Sequence, residues 1–280
     1  MARRGASGTS RSVKTRARTV ASKSTRPRAR PARASAQEDR ILSIDIGGSG
    51  LKAGVVDPEG SLVGERVRVP TPYPCPPSVL VSSLVALIRD LPPAPRVAVG
   101  FPGMVRDGRV LEVPSLSRRV KNGPRDPGLA ALWRGHPLAR KLEQRLKRPV
   151  RLANDADVQG TAVVSGQGME FVLTLGTGVG TALFHHGRLL PHLELSHAPL
   201  RKGATIDVLL GEASRKRHGT KRWSRWVHEA IAHFDEMLFF DRLYLGGGNS
   251  GRVRGALDPR VEIVSNLAGI LGGASLWKQV

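Results

Sequence analysis

The sequence has a single cysteine, no apolar run long enough to cross a bilayer, and no acidic residue in its first 36 positions. One cysteine, Cys75, excludes an internal disulfide and any cysteine-rich zinc site, and suits a reducing compartment. A helical membrane span takes roughly 18 or more consecutive apolar residues, and nothing here approaches that. No apolar signal-peptide core follows the N-terminal charges either. The expectation is a cytoplasmic protein without membrane contact. Residues 1–36 are Arg, Ser, Ala, Thr and Pro with almost no large apolar side chain, so they bury too little surface to offset chain entropy. We expect a disordered basic tail there, making non-specific contact with polyanions. A solubilising or mis-started terminus would read the same way, and an Arg- and Ser-rich start also mimics a transit peptide.

What is present bounds the rest. With 280 residues, 40% of them hydrophobic, the chain suits one or two domains with a real core. The net charge is +21, and eleven of the 44 Lys and Arg lie in the tail, leaving 33 against 23 acidic residues in the body. A basic body favours polyanions such as nucleic acid, polyphosphate or anionic lipid.

The stretch Ile41 to Gly54 runs as a β-branched strand ending in Asp45, a glycine-rich turn over Gly47, Gly48, Ser49 and Gly50, and a second apolar strand carrying Lys52. Such a turn can bring bare backbone N–H groups up to a phosphate, and an aspartate at its edge can hold Mg²⁺ through water. A plain glycine hairpin with a capping aspartate has the same pattern. Asp57 to Gly60 is a turn, and Leu62 to Val69 alternates as a third strand. Ser78 is expected to cap a helix with Leu80, Leu84, Leu87, Ile88 and Leu91 on one face, stopped by Pro92 and Pro93. Arg96 to Gly100 is a buried strand entering Phe101-Pro102-Gly103, and Asp107-Gly108 turns a hairpin. Residues 114–136 read as irregular and basic, followed by a helix from Pro137 through Lys147. Together these elements indicate an α/β protein.

Pro149 to Ala153 is a short strand ending at Asn154-Asp155-Ala-Asp157, where a helix begins. One of these side chains is a natural N-cap, and Asp155 and Asp157 both stand as candidate site carboxylates. Phe171 to Phe184 then repeats the opening design, with its turn at Gly176, Thr177, Gly178 and Gly180. Glu194 and His197 lie three apart in a loop, able to hold a polar ligand; a metal there lacks a third ligand. From Thr205 to Phe240 the chain reads as mostly helical, with Trp226, Ala230, Phe234 and Leu238 as core, and His228, Glu229 and His233 as surface. Arg242 to Gly251 is a strand running into Gly246, Gly247 and Gly248. No acidic residue lies about 20 further on, which weakens a dinucleotide-binding interpretation. A last strand spans Val261 to Val264, and Asn266 caps a closing helix.

Seven motifs in order, Asp45 to Lys52, Gly100 to Gly103, Asn154 to Asp157, Leu173 to Gly180, Glu194 to His197, Leu245 to Gly248 and Asn266 to Gly269, resemble the ROK family of sugar kinases over about residues 40 to 278. Within it the chain most resembles polyphosphate glucokinases. That similarity implies an actin-like, ribonuclease H-like fold of two α/β domains with an interdomain cleft. The domains would span residues 37–152 and 153–265, the closing helix at 266–280 joining the first. It implies phosphoryl transfer from polyphosphate, or also ATP, to the 6-hydroxyl of glucose or a related hexose, with Asp155 as general base. Asp45, Gly47, Gly48, Ser49, Gly50, Lys52, Gly176, Thr177, Gly178, Gly246, Gly247 and Gly248 would grip the donor, Asp45 positioning Mg²⁺. Pro102, Gly103, Asn154, Asp155, Glu194 and His197 would hold the sugar. Relatives further imply a homodimer and no zinc.

Departures from the family pattern fall on the sugar side: Ser115, Val163, His192, Leu193 and Ser196 replace the usual residues. The alternative is therefore a catalytically degenerate member that binds sugar or polyanion. Sequence-specific repression is unexpected, because the tail lacks the apolar periodicity of a helix-turn-helix.

Overall fold

The computed structural model describes residues 39–265 and 268–279, which belong to one compact unit. The expected tail at 1–36 and the cap at Asn266 lie outside the described residues. In chain order the elements are β1 (Ile41–Ile46), β2 (Leu51–Val56), β3 (Leu62–Val69), α1 (Pro77–Leu87), β4 (Arg96–Phe101), β5 (Met104–Arg106) and β6 (Arg109–Glu112). There follow α2 (Pro127–Trp133), α3 (Leu138–Leu146), β7 (Val150–Asn154), α4 (Asp155–Thr161), β8 (Met169–Leu175), β9 (Val179–His185) and β10 (Arg188–Leu189). The chain closes with β11 (Pro199–Arg201), β12 (Ala204–Thr205), α5 (Ile206–Leu210), α6 (Glu212–His218), α7 (Thr220–Leu238), β13 (Arg242–Gly246), β14 (Val261–Ile263) and α8 (Ala268–Leu276).

Two five-stranded sheets carry the architecture, ordered β3-β2-β1-β4-β7 and β10-β9-β8-β13-β14. In each, three strands form an antiparallel meander and two more join in parallel. The second sheet therefore repeats the first strand for strand. All six residues of β1, the polar Ser43 and Asp45 included, are buried at the centre of the sheet. β3 is an edge strand and mostly exposed; of its alternating residues, Val63 and Val67 pack on the core. Gly64, at φ +82°, accompanies a register shift against β2. The Asp107-Gly108 and His186-Gly187 turns have positive φ at both residues, the geometry that matches the twist of a two-residue hairpin.

Two local expectations are corrected. α1 starts at Pro77 after Pro76, with no side-chain cap, and Ser78 lies inside it, its carbonyl accepting a bond from the Ser82 hydroxyl. A proline at the first helical position has its φ already set and gives up an N–H that would be unpaired anyway. The supposedly irregular 114–136 region holds α2, capped by the Asp126 carboxylate on the Leu129 N–H (2.8 Å) and anchored by the buried Trp133.

One core lies between the first sheet and α1 and α3, built on Leu42, Ile44, Val97, Phe101, Leu80, Leu84, Trp133 and Leu142. Another packs Phe171, Leu173 and Leu175 against Trp223, Trp226, Ala230 and Phe234 of α7. The closing helix α8 joins Ile41, Val56, Ala98, Ala153 and Val158 through Ile270, Ala274 and Leu276. Its glycines allow this. A Cβ on Gly272 would sit 1.8 Å from the Val158 carbonyl oxygen in α4, and one on Gly273 2.5 Å from Ser43 Oγ in β1. The Thr161 hydroxyl donates to the Gly272 carbonyl (2.9 Å), and the Trp277 indole N–H to Val97 O (3.2 Å).

Because β1, β4 and β7 are parallel, their carboxyl ends lie together, where α/β sheets place ligands. Lys52, Asp45, Gly100 and Ala153 form one row across the sheet, with Phe101 and Asn154 paired in the next. In the second sheet the corresponding row is Gly180, Thr174 and Gly246.

Gly272→Ala should destabilise the fold by about 1–3 kcal/mol, the cost of overpacking, although alanine favours a helix interior by about 1 kcal/mol. Urea unfolding of the two proteins checks this; an unchanged or raised midpoint would contradict the close α8 to α4 packing.

Candidate active site

The first glycine turn is pinned from behind. Gly47 N–H donates to Gly50 O (3.0 Å) and closes the hairpin. The Thr71 hydroxyl donates to Gly47 O, and the Tyr73 hydroxyl contacts Gly48 O (2.8 Å) and Ser115 O (3.0 Å). A trans peptide points its C=O and the following N–H in opposite directions. The N–H groups of Gly48 and Ser49 therefore face away from Thr71 and Tyr73, and Ser49 is exposed. A Cβ on Gly50 would approach Arg68 Nε to 2.9 Å and Val69 O to 3.4 Å, so a larger residue there would make the Arg68 side chain move. Lys52 reaches back across the β1–β2 rung, its Nζ 2.6 Å from Asp45 Oδ2.

At the end of β7 the cap ambiguity resolves. Asn154 is the N-cap of α4: its Oδ1 accepts from Ala156 N–H (2.8 Å) while its Nδ2 donates to Gly103 O (3.1 Å). Asp155 and Asp157 then point to different partners. Asp157 is buried against His192, with Oδ1 2.9 Å from Nδ1. The other ring nitrogen of His192 lies 3.6 Å from Glu194 Oε1, an ion-pair distance too long for a hydrogen bond. Asp155 has no cation within salt-bridge reach among the described residues, and its Oδ1 accepts from Ala156 N–H (2.9 Å). Burial, then the charges of Asp45, Asp157 and Glu194, push its carboxyl up to about 7, against the pull of that N–H. Gly103 is held by packing, since a Cβ there would meet Glu112 O at 2.3 Å, and Pro102 beside it is half-buried. His197 is exposed at the end of a short 3₁₀ turn, its charge helping to hold Glu194 below the usual carboxylate range after the larger effect of His192.

The second glycine turn abuts α4. A Cβ on Gly180 would lie 2.9 Å from Ala156 Cβ and 4.0 Å from Asp155 Oδ1. Gly176 N–H donates to Gly178 O (2.9 Å), leaving Thr177 and Gly178 at the exposed tip. Asp207 accepts from Val179 N–H (2.8 Å), and Asn249 Nδ2 donates to Glu212 Oε2 (2.9 Å), whose backbone N–H in turn holds Gly176 O (3.0 Å). Gly247, at φ +86°, packs onto Leu175, where a Cβ would be 2.3 Å from the carbonyl oxygen. Gly246 is buried and Gly248 exposed. Thus Gly246 and Gly247 buttress the second turn, while Gly48, Ser49, Thr177, Gly178 and Gly248 offer open backbone. Thr71, Tyr73, Asp207, Glu212 and Asn249 were not foreseen from sequence. Their partners lie 24 to 73 residues away along the chain, and no local motif marks them.

The ROK family model matches residues 41–191, more than half of the chain. The chain belongs to the ROK family. A polyphosphate glucokinase of Mycobacterium tuberculosis is 27% identical over 249 residues, covering 83% of this chain and 89% of that protein. The crystal structure of an inorganic polyphosphate/ATP-glucomannokinase from Arthrobacter sp. strain KM is 31% identical, with a TM-score of 0.72, covering 85% of this chain and 97% of that one. A ROK family glucokinase from Streptomyces griseus, solved with glucose and AMPPNP, superposes at TM-score 0.67 and 20% identity, over 85% and 98% of the two chains. The ROK chain has the actin-like two-domain fold of these sugar kinases.

Among the described residues, no group of three His, Cys, Asp or Glu could hold a metal ion alone. Mg²⁺ does not need one, since it is commonly held by one or two carboxylates plus substrate phosphates while keeping several waters. Asp45, fixed by Lys52 next to the first turn, fits that requirement.

The raised Asp155 pKa carries a stability cost of known sign. Below the unfolded value both states are protonated. Between there and about 7 the folded state holds the extra proton, so stability falls as pH rises and the loss is complete above about 7. Asp155→Asn should therefore raise the melting temperature more at about pH 8 than at about pH 4; calorimetry showing an equal shift at both would contradict the half-buried, unpaired carboxylate.

Proposed function

We propose that this ROK protein is a hexose kinase transferring a phosphoryl group from polyphosphate, or from ATP, to the 6-hydroxyl of glucose, with Asp155 as general base. The observation that supports it most is a single unpaired, desolvated carboxyl, raised to about 7, between one glycine turn and the strand end that bears the other. A sugar hydroxyl is a weak nucleophile, and a base titrating near neutrality is suited to accept its proton as the phosphoryl group moves in line. The mycobacterial polyphosphate glucokinase and the Arthrobacter polyphosphate/ATP-glucomannokinase point the same way, and the latter adds mannose as an acceptor.

In this scheme the open N–H groups of the two turns face the donor oxygens, and the carbonyls of Gly47, Gly48 and Gly176 are tied back so that they do not repel phosphate. Preorganised donors of this kind are the larger electrostatic contribution in such transfers. Asp45, oriented by Lys52, would hold the hydration shell of Mg²⁺ brought in with the donor, and the bound ion would neutralise phosphate charge. Asn154 spends both ends of its amide on Gly103 and Ala156, so it sets the position of the Pro102-Gly103 loop and of Asp155 relative to the sugar. Glu194, kept ionised by His192, would accept hydrogen bonds from sugar hydroxyls. The basic body steers in a polyanionic donor.

A matrix of polyphosphate and ATP against glucose, mannose, N-acetylglucosamine and fructose, with Mg²⁺, should yield a hexose 6-phosphate from glucose. The rate should climb with pH through about 7 as Asp155 loses its proton. Asp155→Asn should lower kcat by about 10²–10⁴-fold with the fold intact. Wild-type turnover by that variant would reject the assigned base. No product from any pair would leave a sugar- or polyanion-binding protein without catalysis.

A further inference from the structure

His192 is a buried ring with one unexplained nitrogen. Its side chain is 5% exposed, Nδ1 is bound to Asp157, and Nε2 is buried with no hydrogen-bond partner, 3.6 Å from Glu194 Oε1. A neutral ring carries one N–H and one lone pair, whereas the imidazolium carries two N–H donors. With two carboxylates on opposite nitrogens, the neutral ring would turn a lone pair on one of them. Among the described residues the charged groups facing the ring are Asp157 on α4 and Glu194 in the loop. Asp157 is raised by burial against the pull of His192, Asp155 is coupled to both carboxylates, His197 to Glu194, and the Asp45–Lys52 pair to Asp155.

We propose that His192 is a positioning residue, an imidazolium clamped between Asp157 and Glu194 that keeps Glu194 ionised and oriented toward the acceptor, so that sugar recognition weakens when the ring loses its proton. The inference rests on Glu194 contacting the sugar, as in the proposed kinase. Burial by itself lowers the basicity of the ring, but Asp157 and Glu194 outweigh it and raise the pKa to about 9. Across the neutral range the clamp is therefore closed, and it opens as pH passes about 9. Glu194 responds in the matching direction, held below the usual carboxylate range chiefly by His192. A structural packing role for the ring would predict no such coupling between proton loss and the acceptor.

The test is the KM for glucose and kcat of the full chain from about pH 6 to about pH 10, for wild type, His192→Asn and His192→Gln, with ¹⁵N NMR of the wild-type imidazole over the same range. The wild-type KM should stay level to about pH 8 and rise above about pH 9. In His192→Asn, which keeps a neutral donor for Asp157, KM should be about tenfold higher at neutral pH, without the alkaline rise, and should move more than kcat. The wild-type ring nitrogens should show an imidazolium through about pH 8, a result independent of whether either variant folds. A ring that is neutral at pH 7, or a folded His192→Asn protein with the wild-type KM profile, overturns the clamp and leaves the kinase reading intact. Absence of hexose phosphorylation by wild type sinks both.

Discussion

Negative charge gathered out of water at the junction of the two sheets is the constraint on which this site depends. Asp45, Asp157 and Glu194 all act on Asp155 there, with Lys52 paired to Asp45 and His192 set between Asp157 and Glu194. Burying a carboxylate without a partner is costly, and the usual escape is to take up a proton. The two cations are spent unequally. Lys52 serves Asp45, His192 serves Asp157 and Glu194, and Asp155 is left to respond by holding its proton to about pH 7. Burial raises both Asp155 and Asp157, the latter against the pull of His192, whereas His192 holds Glu194 below the usual carboxylate range.

Backbone geometry delivers those groups to one place. The parallel register of β1, β4 and β7 brings Asp45 level with Gly100 and Ala153, and Asn154 one step beyond. The N-cap of Asn154 then fixes which way α4 leaves the sheet. α8 holds the arrangement from the other side, its side-chain-free face lying against Val158 of α4 and Ser43 of β1. Those two contacts couple the helix bearing Asp155 to the strand bearing Asp45, so the distance between the two carboxylates depends on glycines far from either in the chain.

The glycine turns show a similar division of labour. Both are open at their tips and tied down at their carbonyls, the first by Thr71 and Tyr73, the second by Glu212 and Asn249. Asp207 accepts from the Val179 N–H and lies beside Gly178, where a Cβ would come within 2.8 Å of its Oδ1. The glycine run after β13 mostly buttresses the second turn, because Gly247 has to lie against Leu175 in a left-handed conformation.

Much of this was legible in the chain. Strand–glycine–strand patterns, the Asp107-Gly108 hairpin and the apolar face of α7 are local, governed by backbone freedom and side-chain periodicity over a few residues, and the ordered motifs marked the ROK family. Ser78 does not cap α1 because Pro77 opens that helix, while α2 is short, signalled only by Asp126-Pro127 and anchored by the buried Trp133. The different partners of Asp155 and Asp157, the pairing of Lys52 with Asp45 and the burial of His192 between two carboxylates were decided only by tertiary structure. Charge state depends on distance and dielectric, and both are set by residues brought together from separate sheets. Sequence alone determined which groups the site contains; folding decided which of them keep a proton.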